Sequence, residues 1–148
     1  MQSGGWAMDL SAETFDYFEH GADVGVVGRG ASLEQAFVSA AQAVFALMTE
    51  LGAVQRRERV SFEFDEDDAE LALVRWLNLL LAHAHDRDLA LGTFDLRREA
   101  GRWHGEAWGE PWREGLERGT GVKGATLTML SVHQTGAGGW EARCVVDV

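Results

Sequence analysis

Two stretches of the chain repeat apolar residues at helical spacing, and most of the remainder alternates them at strand spacing. In "ASLEQAFVSAAQAVFALMTE", residues 31–50, Leu33, Ala36, Phe37, Ala40, Ala41, Val44, Phe45, Leu47 and Met48 recur every three or four positions, which lines one face of a helix. Ser32 followed three residues later by Gln35 is a capping-box pattern, in which each side chain satisfies a free backbone amide at the helix start. A second helix is predicted to open at "DDAE", with Asp67 and Glu70 in the same relation, and to run through "LALVRWLNLLLAHAH". Its residues Leu71, Leu73, Val74, Trp76, Leu77, Leu79, Leu80 and Leu81 leave little polar face. Such a helix either sits between other elements or offers a side to a partner, and burial is the commoner outcome.

"RVSFEFD" alternates Val60, Phe62 and Phe64 with Arg59, Ser61, Glu63 and Asp65, the period-2 signature of a half-buried strand. Weaker strand patterns cover 14–20, 23–29, 90–99, 102–110, 122–133 and 139–147, with turns at Gly101 and at "TGAGG", 135–139. The single proline, Pro111, stands at the end of a strand pattern. Strands that mostly follow one another, with only two helices, predict an α+β fold: a mixed, mostly antiparallel sheet with helices on one or both faces. With 148 residues the chain suits one domain, which buries roughly two-thirds of its unfolded surface. That domain is placed at 14–148, with 1–13 as a flexible leader.

Charge narrows the function classes. Thirteen Lys and Arg against 24 Asp and Glu give a formal charge of −11, which repels a polyphosphate backbone and suits a basic protein partner. Direct nucleic-acid binding is therefore not expected. Cys144 is the only cysteine, so neither an internal disulfide nor a cysteine zinc site is available, in keeping with a reducing cytoplasm. "MQSGGWAMDLSAET" lacks the basic start and apolar run of a signal peptide, and no run of about 18 apolar residues occurs, so a membrane location is not expected.

Three stretches carry candidate chemistry. "HAHDRD", 83–88, places His83, His85, Asp86 and Asp88 together, but helix positions two apart point about 200° apart, so it reads as a polar helix C-terminus and not a metal site. In "FEHGADVG", 18–25, Glu19, His20 and Asp23 offer an acid, a base and an orienting group, yet no serine elbow or accessible cysteine supplies a nucleophile. Cys144 falls on the apolar side of its strand with Trp140, Ala142 and Val146. At the chain end, "EARCVVDV" puts Asp147 beside the Val148 α-carboxylate. If that strand lies near the 18–25 turn, Asp23, Asp147 and Val148 form a three-acid cluster. Each like-charged pair at about 4 Å costs on the order of 4 kcal/mol at an effective dielectric of 20, so the cluster needs a cation or a proton. Its hard oxygens suit calcium, magnesium or manganese over zinc. The alternative is a solvated chain end, and spacing alone does not choose between them.

The order of these motifs resembles the archease family. "FEHGADVGVVGRGASLEQAFVSAAQAVFALMTE" is similar to its acidic-His-Thr-Ala-Asp-Val-Gly turn and following Gly-x-Ser/Thr-Leu-Glu-x-Ala-Phe helix. "LVRWLNLLLAHAHDRDLALGTF" resembles its Leu-x-x-Trp-Leu-Asn-x-Leu-Leu segment, "AWGEP" its Gly-Glu turn, "GVKGATLTML" its Val-Lys-Ala-x-Thr strand and "GWEARCVVDV" its Gly-Trp-x-Ala-x-x-x-x-Asp-Val terminus. The likeness covers about 15–148 in order. It departs at Gly21, where the family has Thr, at Leu127 and Thr128, where it has Tyr and His, and in "REGLERGT", which lacks the family's usual His.

The resemblance implies a fold with one sheet and two main helices, and a non-enzymatic role as activator and chaperone-like partner of the RtcB-type RNA ligase in tRNA splicing and RNA repair. That ligase uses GTP and a divalent metal, and archease speeds formation of its guanylylated intermediate. The family's metal residues map onto Asp23, Asp147 and Val148, with calcium the foremost expected cation and manganese or magnesium as alternatives. Glu19 and His20 are expected to support the metal residues or touch the partner. Lys123 is read equally as a contact for a phosphate or acidic group and as an exposed strand lysine. Two other readings are a small metal-dependent phosphoester hydrolase on the same carboxylates and a general chaperone working through the apolar second helix.

Overall fold

The computed structural model describes residues 14–136 and 138–148; the expected leader at 1–13 lies outside the described residues. In chain order the elements are β1 Phe15–His20, β2 Asp23–Gly30, α1 Leu33–Ala46, a 3₁₀ turn Leu51–Ala53, β3 Glu58–Asp65, α2 Ala69–Asp86, β4 Leu89–Glu99, β5 Arg102–Pro111, β6 Gly124–Ala125, β7 Ser131–Gln134 and β8 Trp140–Asp147. The α+β class is as predicted, but the single expected sheet is divided in two. One is five-stranded, in the order β1-β2-β8-β6 with β7 also pairing β8, and the other is three-stranded, β3-β5-β4. Every strand pairing among the described residues is antiparallel.

The helices lie between the two sheets. On one side α1 packs on β2 and β8, and on the other on β4. This explains why both helices are rich in apolar residues: Ala36, Phe37, Ala40, Ala41 and Val44 of α1, and Leu73, Trp76, Leu77 and Leu80 of α2, are fully buried in one core. Burying one such large side chain is worth about 1.5–3 kcal/mol. The stack Phe37–Trp103–Phe64, with centroids 5.3 and 5.9 Å apart, carries the core into the three-stranded sheet. Trp76 Nε1 donates to the Phe37 carbonyl at 2.9 Å, so the indole is buried with its donor satisfied. The close approach of α1 to β2 needs Gly28, where an added Cβ would lie 2.3 Å from the Ala36 oxygen and the Ala40 nitrogen.

Both helix starts are capped, one as predicted and one a residue later. Ser32 Oγ accepts from the Gln35 amide at 3.1 Å, and Gln35 Oε1 accepts from the Ala31 amide at 3.0 Å. In α2 the cap is Asp68 and not Asp67: Asp68 Oδ1 accepts from the Leu71 amide at 3.0 Å. Glu66 Oε2 holds the Asp68 amide, which sets the chain one residue further on, while Glu70 Oε2 accepts from the Val132 amide of β7.

The predicted strand at 122–133 is interrupted. Ala125 pairs with Val146 and Ser131 with Arg143, so residues 126–130 lie opposite only Cys144 and Val145. The surplus forms a turn with Met129 at φ 56, pinned where the Val145 carbonyl accepts from Thr126 N and Oγ1 and the Val145 amide donates to the Thr128 carbonyl. A threonine that bonds backbone locally competes with the strand ladder, which the alternation of apolar residues does not reveal.

Candidate functional site

The first hairpin and the last strand meet at one end of the five-stranded sheet. β1 and β2 are joined by Gly21 and Ala22, with His20 directly opposite Asp23. Gly21 has φ 62, a left-handed conformation that glycine adopts without a Cβ penalty, so the position where the sequence departs from the family's Thr is one that the turn geometry explains. β2 pairs with β8 from Val24↔Val146 to Gly30↔Trp140, and continuing that register brings Asp23 opposite Asp147. At the next step the Val148 amide donates to Asp23 Oδ1 at 3.3 Å, a contact between residues 125 positions apart.

The expected proximity of Asp23 to the chain end is therefore present. Asp23 and Val148 are half-buried and Asp147 is exposed. Cross-strand neighbours have Cβ atoms about 5 Å apart, so two ionised carboxylates there repel by at most about 3 kcal/mol at an effective dielectric of 20, and by less where one is exposed. Among the described residues no group of three or more His, Cys, Asp or Glu side chains is arranged to hold a metal ion. The cluster at issue has only two such side chains, and the third donor expected of it is the backbone carboxylate of Val148. An all-oxygen set of this kind fits a hard divalent cation and not a soft one.

The supporting residues separate. His20 shares the face of Asp23, whereas the pleat turns Glu19, opposite Val24, to the other face, so the two do not act at one point. Both are exposed. Lys123 is exposed and makes no ion pair among the described residues, and its amide donates to the Asp147 carbonyl at 2.8 Å. Lys123 thus stands next to the chain end, where its position suits either expected reading.

Asn78, a residue that charge and motif spacing do not single out, fixes this corner. From the half-buried face of α2 its Nδ2 donates to the Ala125 carbonyl at 3.2 Å, and its Oδ1 accepts from the Ala125 amide at 2.8 Å. The two bonds fasten β6, and β6 pairs Gly124 with Asp147. A lone amide within an otherwise apolar helix is the available signal. Glu110 of "AWGEP", expected as a turn but in the structure the end of strand β5, does similar work further off. Fully enclosed, it accepts from Arg113 Nε at 2.7 Å and from the Gln55 amide at 2.7 Å, and the Arg113 guanidinium foremost holds its carboxyl below the usual carboxylate range. Beyond it, the Gly119 and Thr120 amides donate to the carbonyls of Met48 and Leu47, just past the end of α1, which guides the loop towards Lys123.

The other candidates resolve as structure. His83 stacks on Phe62 at 5.3 Å between centroids, and its carbonyl accepts from the Arg87 amide at the helix end, so "HAHDRD" is a helix C-terminus. Cys144 is fully buried, and burial pushes its thiol up to about 12, which rules it out as a nucleophile near neutral pH.

A model of the archease protein family matches residues 15–148. The archease of Sulfolobus acidocaldarius is 38% identical over 138 residues, covering 90% of this chain and 98% of its own. That of Aeropyrum pernix is 31% identical with both chains covered in full. The solution structure of protein 1598 of Methanobacterium thermoautotrophicum superimposes with a TM-score of 0.77 at 28% identity, over 91% of this chain and 99% of that one. A crystal structure described as an archease, possible chaperone, from Thermotoga maritima gives 0.65 at 20% identity over 88% and 94%, a likeness of fold alone.

Proposed function

The chain belongs to the archease family, and from that premise we propose that it is a non-enzymatic activator of an RtcB-type RNA ligase, promoting the ligase's guanylylation through an acidic site made of Asp23, Asp147 and the Val148 carboxylate. The observation that carries this reading is the bond from the Val148 amide to Asp23 Oδ1 at 3.3 Å, which brings the first turn and the last residue to one point. A hard divalent cation, when bound, supplies positive charge for phosphate oxygens. Asp23 and Asp147 hold that charge from the two strands, and Asn78 keeps β6 in register beside them. His20, across the hairpin from Asp23, and Lys123, beside Asp147, present polar groups to the partner. The formal charge of −11 favours encounter with the basic surface of an RNA-binding protein.

Two rival readings make different demands. A chaperone acting through α2 is left with little apolar surface there, since Leu71 is exposed but Leu73, Trp76, Leu77 and Leu80 are all fully buried. A metal-dependent phosphoester hydrolase on the same carboxylates would draw its nucleophile from metal-bound water, and turnover of a phosphoester by the isolated protein would reveal it. The deciding measurement is ligase guanylylation with and without this protein. Asp23→Asn and Asp147→Asn, shown folded by circular dichroism, are expected to abolish stimulation. Stimulation at the parental rate by both variants would overturn the reading. A tag extending the chain past Val148 is expected to weaken calcium or manganese binding, because the terminal carboxylate becomes an amide.

A further inference from the structure

On the outer face of the five-stranded sheet, four residues back from Asp147 along β8, stands an arginine with no hydrogen-bond acceptor among the described residues. We propose that Arg143, seated on Phe18, is a carboxylate-binding site that takes an aspartate or glutamate side chain of a protein partner. The register places Phe18 of β1, Gly25 and Val27 of β2, Arg143 of β8 and Ser131 of β7 on the face turned away from the helices. Phe18 lies flat over Gly25, where a Cβ would sit 2.3 Å from its ring carbons, and the Arg143 guanidinium rests 4.7 Å from the ring centroid.

Stacking orients the guanidinium without neutralising it. Nε is enclosed and has no hydrogen-bond partner, while the side chain as a whole is 33% exposed, so the donors facing solvent are at the Nη end. The nearest acid, Glu141, is 3.9 Å from Nη1, beyond hydrogen-bond reach, and commits its other oxygen to Arg29 Nε at 3.2 Å. His133, bonded to Ser131 Oγ at 3.1 Å, completes the patch. Asp16, opposite Val27, lies on this same face, and Glu141 also meets His133 Nε2 at 3.7 Å, so Arg29 and Arg143 are formally balanced by Glu141 and Asp16 before His133 is counted. The preference for a carboxylate rests on the fork of the two Nη groups, which a carboxylate matches with two parallel bonds. A phosphate dianion would add two negative charges beside Glu141 and Asp16. The site is roughly 13 Å from Asp147 at about 3.3 Å per residue, on the same face, and does not depend on the cation reading.

The test is an NMR titration of the isolated ¹⁵N-labelled protein, with chelator present, by capped Ala-Glu-Ala at constant ionic strength. Parallel titrations use sodium chloride and inorganic phosphate. A saturable shift of the Arg143 Nε–Hε resonance and of the Phe18 and Ser131 amides is expected with the peptide. Arg143→Lys is expected to weaken binding at least tenfold, judged from those amides, and Arg143→Gln to abolish it. Peptide shifts no larger than those with chloride overturn the site, a stronger response to phosphate overturns the carboxylate assignment, and unchanged affinity in Arg143→Lys overturns the fork. If Arg143→Gln fails to fold, the lysine variant decides.

Discussion

Replacing Asn78 with alanine tests whether one amide holds the candidate site together. The change removes both bonds to Ala125, the donor contact at 3.2 Å and the acceptor contact at 2.8 Å. Each is worth about 1 kcal/mol net, and leaving the half-buried Ala125 amide and carbonyl short of partners adds toward about 1–3 kcal/mol where water does not replace Asn78. β6 has only the two residues Gly124 and Ala125, and apart from Asn78 it is held by its pairing with β8 and by the flanking bonds of Lys123 to Asp147 and Thr126 to Val145. The expected loss is about 2–4 kcal/mol, a large share of a total of about 5–15 kcal/mol. For a chain of this size that lowers Tm by roughly 5–15 °C. Urea unfolding followed by circular dichroism measures the loss, and calcium titration calorimetry on the still-folded variant measures its effect at Asp23 and Asp147, which should bind more weakly. A variant within about 0.5 kcal/mol of the parent would refute the clamp, since two hydrogen bonds of ordinary net strength to a two-residue strand could not be lost at so small a cost.

Other perturbations probe the surrounding frame. Gly28→Ala forces a Cβ to within 2.3 Å of backbone atoms of Ala36 and Ala40, so α1 must shift, at about 1–3 kcal/mol or more; parental stability in urea would contradict the packing. Gly21→Thr restores the family's residue but places it at φ 62 with nothing within 4 Å, so about 1–2 kcal/mol of backbone strain and no clash is expected in a thermal melt. At high pH, burial raises the Cys144 thiol from 9.0 to about 12, and burial followed by the charge of Asp16 raises Tyr17 from 10.0 to about 12. Both groups hold their protons more tightly when folded, so their full stability is present below pH ~9 and falls as pH rises from about 9 towards 12. A urea midpoint at pH 10.5 as high as or higher than that at pH 8 would contradict this dependence.

How far the fold is legible in the sequence depends on the range of the forces involved. The helix start at Ser32 and Gln35 is local chemistry within four residues, and the alternation in "RVSFEFD" reports burial directly, so both are readable. The α2 cap falls at Asp68 in place of Asp67 because acids in a row compete, and Glu66 settles the matter from outside the motif. The division into two sheets is set by helices packed on both sides, which no periodicity encodes. The break at 126–130 turns on the hydroxyl of Thr126 and its bond to the Val145 carbonyl, a partner 19 positions away. At the site, composition marks Asp23 and Asp147 as candidates, and the resemblance, not spacing, implies that they meet. Asn78 and Arg143 are hidden for opposite reasons: one amide looks incidental in an apolar helix, and one arginine looks like surface.

The contact of Val148 with Asp23 spans 125 positions, so the corner is among the longest loops the chain closes. Closing so long a loop costs the most chain entropy, so the corner is expected to form late in folding. An ion or partner that recognises this corner therefore meets it only on a completed molecule: it would slow unfolding while leaving the folding rate nearly unchanged. The site is in that sense a built-in check that the whole chain has reached its native arrangement.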